Sequence, residues 1–491
     1  NGGTDTIYGN AGDDILYGYE NDYMDGVASY QSGDDNLYGG AGDDNLYGTA
    51  GENILDGGTG KDTMYGGNGA DTFILRAGDG SSILANADVI ADFQNGADVI
   101  GMDGLSFDDL TISQGTNSNA SHTIIQYTST GEYLAIIQNT AVGNITALDF
   151  TSTSTDAQTL TGTSGNNTLI GGAGVDTVNG DTGSDTVYSW GGNDTINITG
   201  KSGVFTDTIN GGAGTDTLNI NYNGVTSLRD FTISKSGGVT TLTDSSGGVI
   251  NFESVENLTV NNLAYTSVDS GAINSGDGGI NNAYWSSSEK LLIATNGSVW
   301  YAQNINNAYS GLSTTDDFEY VGSSDGDTIN LNINRLTSGT DIGHSLLSGD
   351  FTINTGDGND SMHSAKLKNT DSINLGSGDD SISVMVSGTY GTPSLSTMNM
   401  TLLDGGTGID TISFEESTVA NGTVLSLTTG GAINFENLTG SASIETLNGD
   451  ANANTIAGKG GSDIIYGNGG DDSLYGYEND YMDGVASYQS G

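Results

Sequence analysis

The chain has 491 residues, with 62 acidic side chains against 10 Lys and Arg and a formal net charge of −52. Nucleic acid is excluded as a partner because phosphate contacts need Lys and Arg, and anionic lipid surfaces are disfavoured for the same reason. Cys is absent, which excludes disulfides and thiolate metal sites, and no apolar run is long enough to span a membrane.

The composition favours an ordered fold. Gly occupies 79 positions, Tyr 23 and Pro only one, whereas disordered acidic chains are usually rich in Pro and Glu and poor in aromatic residues. A net charge of this size opposes any compact state by self-repulsion. Unless the chain stays expanded, bound cations must therefore neutralise the carboxylates when it folds.

A nine-residue motif, G-G-x-G-x-D-x-U-x with U an apolar residue, recurs in three blocks. Its copies begin at Gly9, Gly39, Gly48, Gly57 and Gly66, then at Gly162, Gly171 and Gly180, and finally at Gly458 and Gly467. Isolated copies begin at Gly211, Leu375 and Gly405. This many copies in register predict a repetitive fold.

Each motif predicts a six-residue turn followed by a three-residue strand. Gly at the first, second and fourth positions permits backbone angles that other residues resist. The eighth side chain points inward because its neighbours on the strand point outward. In the first block the inward residues are Ile7, Leu16, Leu37, Leu46, Leu55, Met64 and Phe73. A core one side chain thick per strand does not stabilise the fold unaided.

Two motifs complete one coil, so the sixth-position Asp lies above its counterpart in the next coil. Asp44 then stacks on Asp62, and Asn53 falls between Asp35 and Asp71. Stacked carboxylates repel unless a cation separates them, and Ca²⁺ takes about six to eight oxygens from Asp side chains and carbonyls. Oxygen ligands without His or Cys favour Ca²⁺ over Zn²⁺ or Cu²⁺, and Mg²⁺ demands tighter geometry. The alternative, that each Asp only caps its own turn, suits a single residue better than a row.

These motifs resemble the repeats of the repeats-in-toxin (RTX) family of secreted bacterial proteins. The resemblance implies a right-handed parallel β-roll, folding triggered by Ca²⁺ and export by a type I secretion system. It also implies a metal-ligand role for the sixth-position residues Asp14, Asp35, Asp44, Asp62, Asp71, Asp176, Asp185, Asp194, Asp463 and Asp472. On the same pattern we add Asp5, Asp216, Asp380 and Asp410 as metal ligands.

Two further expectations rest on this resemblance. Asn53, Asn167 and Asn454 depart from the sixth-position pattern, so we expect their sites to be weaker or vacant. The segment that begins at Asp88 resembles the β-rich cap that often follows an RTX block.

The predicted fold is all-β, with parallel β-roll (RTX) blocks alternating with β-rich sandwich or solenoid domains. Runs of alternating apolar and polar residues between the blocks are typical of strands. The predicted domains are a β-roll at 1–74, a β-rich cap at 75–158, a β-roll at 159–219, a β-rich domain at 220–321, an irregular β-solenoid at 322–446 and a β-roll at 447–491. The solenoid carries RTX-like turns at Asp327, Asp360, Asp380 and Asp410.

A larger repeat relates the two ends of the sequence. Residues 1–33 and 459–491 align without gaps at an offset of 458, and 28 of the 33 positions are identical. The match includes GYENDYMDGVASYQSG, which the nine-residue motif does not dictate. We interpret the chain as one period, plus a short overlap, of a tandem array, with both ends cut from a longer protein.

Two features fit either a contact surface or a structural role. A 12-residue insertion, predicted at 18–29, is either a contact loop or a tolerated surface insertion. Tyr side chains at the ninth motif position form either a carbohydrate or protein contact surface or, as we favour, a stacking ladder that stiffens the roll. These residues are Tyr8, Tyr17, Tyr38, Tyr47 and Tyr65.

The sequence predicts a structural protein and not an enzyme. His122, His344 and His363 stand apart, and no helix is predicted after the G-x-S-x-G match at 322–326.

The predicted function is a calcium-stabilised structural repeat unit of a secreted bacterial extracellular assembly (surface layer, sheath or filament), similar to giant secreted proteins of that kind. Predicted partners are copies of the chain itself, with cell-surface polysaccharide as a further candidate. The alternatives are the stalk of a giant RTX adhesin and the non-catalytic part of a secreted RTX hydrolase or toxin.

Overall fold

The computed structural model describes residues 4–18, 33–268, 279–280, 283–295, 299–301, 318–323, 326–330, 350–365, 367, 370–384, 402–415, 417 and 419–476. These residues form β-strands and short 3₁₀ turns but no α-helix, which confirms the all-β prediction. Nor does this part of the chain contain a helix that could cross a membrane. The chain divides into two compact units, Asn1–Val225 with Ser245–Glu256 and Thr226–Asp244 with Asn257–Gly491.

The first roll and the segment after it form two sheets within the first unit. One sheet contains, in order, β1 (Thr6–Ala11), β3 (Asn36–Ala41), β5 (Ile54–Thr59), β7 (Thr72–Arg76), β9 (Val99–Asp103) and β13 (Phe150–Ser152). The other contains β10 (Leu110–Gln114), β11 (Thr123–Tyr127), β12 (Glu132–Ile137), β8 (Asp88–Ile90), β6 (Thr63–Asn68), β4 (Asn45–Ala50) and β2 (Ile15–Tyr17). Short 3₁₀ turns lie at Leu84–Asn86, Phe107–Asp109, Asn117–Asn119, Val142–Asn144 and Ala147–Asp149.

Parallel pairing at a constant offset builds the coil of the first roll. Leu37 pairs with Leu55 and Leu46 with Met64, so successive strands of one sheet lie 18 residues apart. All four side chains are fully buried, because alternate residues of a strand point to the same face. The predicted inward residues therefore form the core, although Ile7 is only half-buried.

The insertion leaves the register of the first roll intact. Leu16 pairs with Leu46 at an offset of 30, which is one coil plus 12 residues. A Cβ on Gly18 would collide with Oδ2 of Asp35, the contact typical of a first-position glycine. Gly18 thus belongs to the motif, and the insertion begins one residue later than predicted, at 19. The contact-loop interpretation concerns residues outside the described ones and stays a prediction.

The segment after the first roll extends the same two sheets. β8 pairs in parallel with β6, and β9 pairs in parallel with β7 and with β13. Antiparallel pairing joins β10 to β11 and β11 to β12, and β12 then pairs in parallel with β8. Both sheets therefore run from the roll into this segment without interruption.

The second roll repeats this arrangement with a wider coil. One set of strands is β14 (Thr159–Thr161), β16 (Thr177–Asn179), β18 (Thr195–Thr199) and β20 (Thr217–Asn221). The other is β15 (Thr168–Ile170), β17 (Thr186–Tyr188), β19 (Thr206–Asn210) and β23 (Val249–Glu253). Val178 pairs with Ile196 at an offset of 18, whereas Val187 pairs with Ile209 at an offset of 22. Four extra residues therefore enter this coil.

The second unit begins with a 3₁₀ turn, Leu228–Asp230, and the antiparallel pair β21 (Phe231–Ser236) and β22 (Val239–Asp244). One set of strands is β24 (Asn257–Val260), β25 (Leu263–Val268), β27 (Ala283–Ser286), β28 (Leu291–Ala294), β30 (Phe318–Val321), β32 (Phe351–Asn354), β34 (Ser372–Asn374), β36 (Leu402–Asp404) and β39 (Ala432–Ile433). A second is β26 (Gly279–Ile280), β29 (Val299–Tyr301), β31 (Thr328–Asn330), β33 (Ser361–Ala365), β35 (Ser381–Val384), β37 (Thr411–Ser413), β40 (Asn437–Thr439), β42 (Thr455–Ala457) and β44 (Ser473–Tyr475). A third is β38 (Thr423–Ser426), β41 (Glu445–Asn448) and β43 (Ile464–Tyr466), with a 3₁₀ turn at Thr429–Gly431.

Pairing in the second unit changes from antiparallel to parallel along the chain. β24, β25, β27 and β28 pair antiparallel in sequence, and parallel pairing follows from β28 onward. The parallel coils have unequal lengths, with offsets of 33, 20 and 30 residues between Asp327, Asp360, Asp380 and Asp410. Fully buried Ile329, Met362, Ile382 and Ile412 line this core. The predicted domain boundaries stay predictions.

The tyrosines of the first roll stack on one another. The ring centroids of Tyr47 and Tyr65 lie 4.9 Å apart and those of Tyr8 and Tyr38 lie 5.0 Å apart, with nearly parallel planes. Tyr17 stacks on Tyr47 in the same way. The predicted stacking is therefore confirmed, and since offset ring stacking contributes beyond area burial, it supports the favoured ladder interpretation; stiffening of the roll stays a prediction.

Candidate calcium-binding turns

Sixth-position carboxylates connect each turn of the first roll to the next. The main-chain N–H of Asp44 donates to Oδ1 of Asp62 at 2.7 Å, and that of Asp35 donates to Oδ1 of Asn53 at 3.0 Å. Each pair is 18 residues apart, which confirms the predicted stacking. One carboxylate oxygen thus binds the preceding turn, and the other remains for a different partner.

This contact repeats from turn to turn, and we call each series a carboxylate row. The first roll has the rows Asp5–Asp35–Asn53–Asp71–Asp98 and Asp14–Asp44–Asp62–Asp88. The second roll has Gln158–Asp176–Asp194–Asp216–Glu256 and Asn167–Asp185–Asp207. The second unit has Asp327–Asp360–Asp380–Asp410–Glu436, Glu445–Asp463 and Asn454–Asp472. Every predicted metal ligand lies in one of these rows.

The second carboxylate oxygen of many row residues is buried without a hydrogen-bond partner in the described part of the chain. These atoms are Oδ2 of Asp14, Asp44, Asp62, Asp71, Asp194, Asp207, Asp216, Asp360, Asp380, Asp410 and Asp463. Burying a charged oxygen without a partner is costly, so native proteins supply one. A hard divalent cation that prefers oxygen ligands is the partner that fits.

Glycine at the first motif position makes room for these oxygens. A Cβ on Gly39 would lie 2.5 Å from Oδ2 of Asp44 and 2.5 Å from the carbonyl oxygen of Gly57 in the next coil. No group of three or more His, Cys, Asp or Glu side chains suited to a metal occurs among the described residues. Row carboxylates and neighbouring main-chain carbonyls such as that of Gly57 would provide an oxygen-only donor set, which fits Ca²⁺.

Burial raises the pKa of several row carboxylates above its ordinary value. It raises the pKa of Asp62, Asp194 and Asp410 to about 6 and that of Asp88 to about 8. The main cause is loss of hydration, which outweighs the hydrogen bond received from the preceding turn, and repulsion between carboxylates adds to it. A cation between the turns would favour the charged form and lower each pKa again.

Several row residues were missed because their spacing departs from 18. Asp88 is the last residue of one row and lies 26 residues after Asp62, and Asp98 is the last residue of another row and lies 27 residues after Asp71. Asp207 lies 22 residues after Asp185. Each is followed two residues later by a buried isoleucine (Ile90, Ile100 and Ile209), as in D-V-I at 88–90, and that local signal could have identified all three. Asp88 and Asp98 both lie in the predicted cap, which therefore completes the rows of the first roll.

Asparagine contributes hydrogen-bond donors where other turns have unpartnered oxygens. Nδ2 of Asn53 donates to Oδ1 of Asp71 at 2.9 Å and to the carbonyl oxygen of Gly51 at 3.2 Å. Nδ2 of Asn454 likewise donates to the carbonyl oxygen of Glu436 at 3.0 Å. A neutral amide stabilises these turns without attracting a cation. The expectation of weaker or vacant sites stays a prediction that these contacts favour.

Fifth-position acids have a different role from the sixth-position ones. Oδ1 of Asp43 accepts from the N–H of Lys61 at 2.9 Å, and Oδ1 of Asp34 accepts from the N–H of Glu52 at 2.8 Å. These bonds lie at the exposed surface. These acids therefore connect successive coils at the surface and do not cap their own turns.

His122 and His363, the two histidines among the described residues, each form a hydrogen-bond contact with a nearby backbone or side-chain group. Nδ1 of His122 accepts from the N–H of Asn139 at 2.9 Å, and Nε2 of His363 lies 3.1 Å from Oγ of Ser361. His344 lies outside the described residues. Strand β31 follows the G-x-S-x-G match at 322–326, whereas a nucleophile elbow leads into a helix.

Two protein families match parts of the chain. The family described as RTX calcium-binding nonapeptide repeat (4 copies) matches residues 158–196, 203–219 and 439–484. The family described as Peptidase M10 serralysin C terminal matches residues 5–161. No curated protein matches the chain.

Parallel coils closed by glycine-rich turns, with a row of buried carboxylates along each edge, define a calcium-binding β-roll protein. The chain therefore contains RTX calcium-binding repeats with several Ca²⁺ sites, in the β-roll form that the two matched families share. The serralysin match is to the C-terminal region of that peptidase family, which is itself a β-roll, and not to its catalytic domain. Which row residues bind each ion stays a prediction.

Proposed function

We propose that the chain is a calcium-stabilised structural repeat unit of a bacterial extracellular assembly, such as a surface layer, sheath or filament. The observation that carries the proposal is the repeat at an offset of 458 residues, in which 28 of residues 1–33 recur at 459–491. Such a repeat suits a protein built from many identical units. Export by type I secretion and a position at the cell surface belong to the same proposal.

Equivalent parts of the duplicated segments form equivalent strands. Leu16 lies in β2, and Leu474, its counterpart in the repeat, lies in β44. Leu474 pairs with Ile456 at the regular offset of 18 residues. A second copy of the unit could therefore continue the coil in the same register, which supports an extended array.

Charge supports a calcium requirement for assembly. Copies with a formal charge of −52 repel one another strongly unless cations neutralise them. Ca²⁺ in the carboxylate rows lowers this charge and fixes the coil at the same time. We therefore propose that other copies of the chain are its main partners and that they associate only after calcium has bound; cell-surface polysaccharide is a further candidate.

A second candidate function is the non-catalytic β-roll region of a secreted hydrolase. The serralysin C-terminal match over residues 5–161 favours it, because that region accompanies a peptidase domain in the matched family. The complete reading frame distinguishes the two candidates. Further 458-residue units favour the structural role, and an adjoining peptidase domain favours the hydrolase.

Electron microscopy of the purified chain tests the structural role. In excess Ca²⁺ we expect ordered lateral or helical packing, and after chelation we expect dispersed particles. Dispersed particles at every protein concentration in Ca²⁺ would contradict self-assembly and favour the stalk of an adhesin. Sedimentation velocity on the same samples measures whether association requires calcium.

A further inference from the structure

One turn of the second roll contains a buried lysine. Lys201 is 2% exposed, and its side chain and those of Asp185 and Asp207 are fully buried. Nζ lies 2.7 Å from Oδ2 of Asp185, 3.0 Å from Oδ1 of Asp207 and 3.0 Å from the carbonyl oxygen of Gly183. An ammonium group has three donors, so every donor of Lys201 has an oxygen partner.

These three oxygens belong to a turn that is built like the other turns of the carboxylate rows. Asp185 and Asp207 are consecutive members of a carboxylate row, joined by the N–H of Asp185 and Oδ1 of Asp207 at 2.9 Å. Gly183 is the fourth-position glycine of the turn that ends at Asp185. In other turns, such as those of Asp44 and Asp62, Oδ2 of the sixth-position Asp is buried without a partner among the described residues, whereas here Oδ2 of Asp185 binds the ammonium group.

The sequence of this turn departs from the motif in the way such a replacement requires. Counted back from Asp207, the first and fourth positions are Ser202 and Phe205 instead of glycine. The coil offset is 22 residues, so the longer loop carries Lys201 into the row. Nζ also lies 5.3 Å from the centre of the Phe205 ring, within the range of a cation–π contact.

We propose that Lys201 is a built-in cation that takes the place of a calcium ion between Asp185 and Asp207. This turn therefore keeps its structure without metal, while the opposite turn of the same coil needs Ca²⁺. In that opposite turn the N–H of Asp194 donates to Oδ1 of Asp216 at 2.8 Å, and Oδ2 of both residues is buried without a partner among the described residues.

Hydrogen exchange followed by mass spectrometry on the full chain tests the proposal. The N–H of Thr208 donates to the carbonyl oxygen of Asp185, and the N–H of Thr217 donates to that of Asp194, both at 2.8 Å. In EGTA we expect the peptide that contains Thr208 to stay protected and the peptide that contains Thr217 to exchange. Equal exchange of the two peptides in EGTA would overturn the proposal.

Two substitutions separate the charge of Lys201 from its packing. Lys201→Met keeps a side chain of similar length without charge, and in EGTA it should speed exchange of the Thr208 peptide about a hundredfold, because two buried carboxylates lose their cation. Lys201→Ala opens the space, so Ca²⁺ should restore protection and the variant should bind one more calcium ion than the wild type. Lys61→Met, at an exposed fifth position, is the matched control and should leave the Thr208 peptide unchanged.

Each variant also has an outcome that overturns the proposal. Wild-type protection of the Thr208 peptide in Lys201→Met would mean that the ammonium group does not hold the turn. Failure of Ca²⁺ to restore protection in Lys201→Ala would mean that Lys201 does not stand in a cation site.

Discussion

Asp62 and Asp88 join the first roll to the segment that follows it. The N–H of Asp62 donates to Oδ1 of Asp88 at 2.9 Å, although the two residues are 26 apart, and both side chains are buried. This bond continues the carboxylate row that starts at Asp14. The segment after the first roll therefore supplies the last carboxylate of this row.

The metal-free protein should become less stable as the pH rises. Burial raises the pKa of Asp88 to about 8 and that of Asp62 to about 6, whereas an unfolded Asp titrates at about 4. Between about pH 4 and pH 8 the folded state therefore holds more protons than the unfolded state, so the free energy of unfolding falls as pH increases. Thermal unfolding of the calcium-free protein near pH 4 and near pH 8 measures this loss of stability. A higher midpoint at the alkaline limit would contradict the assignment of buried, uncompensated carboxylates.

Replacing one row carboxylate by its amide should remove calcium. Asp62→Asn keeps the hydrogen bond from Asp44 but replaces the unpartnered Oδ2 by a donor, as at Asn53. We expect fewer bound Ca²⁺ ions and a loss of about 1–3 kcal/mol in the calcium-saturated protein. Isothermal titration and thermal unfolding check both effects. Asp43→Asn, at an exposed fifth position, should retain the wild-type number of ions, and an unchanged number in Asp62→Asn would exclude this residue as a ligand.

A methyl group at a first-position glycine should disturb a calcium turn. In Gly39→Ala the new Cβ would lie 2.5 Å from Oδ2 of Asp44 and from the carbonyl oxygen of Gly57, so the turn must shift. We expect a loss of about 1–3 kcal/mol and weaker calcium binding. Gly165→Ala is the control, since its Cβ would meet only Oγ1 of Thr163 at 3.7 Å. Equal stability of the two variants would show that the first position has no special steric requirement.

Deleting residues 19–30 should leave the first roll folded. The deletion joins Gly18 to residue 31, which restores the motif G-Q-S-G-D-D and a coil of regular length. The register on either side already matches, as Leu16 pairs with Leu46. We expect wild-type calcium stoichiometry and circular dichroism, and loss of self-assembly if the insertion is a contact loop. Unfolding of the shortened roll would show that the insertion is part of the fold.

The sequence predicts the regular coils well because the motif repeats every nine residues and two motifs make one coil. Leu46, Leu55 and Met64 could be placed in the core, and Asp44 above Asp62, from spacing alone. Coils of irregular length cannot be predicted from this spacing, because a loop of any length can be inserted between two strands without changing the strand that follows. Asp88 and Asp207 were missed for that reason, at offsets of 26 and 22.

The contact of Lys201 could not be predicted for a related reason. Its position opposite Asp185 depends on the loop length that sets the offset of this coil, which the motif does not specify. The stacking of Tyr47 on Tyr65 was predictable because both occupy the ninth position of consecutive coils of equal length.

Circular dichroism of the full chain during removal and return of calcium tests the central claim most directly. The claim is that Ca²⁺ between the turns compensates carboxylates such as Asp44 and Asp62, whose Oδ2 atoms have no other partner in the described structure. Metal binding and folding are coupled when a site does not form by itself, so excess EGTA should abolish much of the β signal at neutral pH and added Ca²⁺ should restore it. A spectrum that stays the same in excess EGTA would contradict the account.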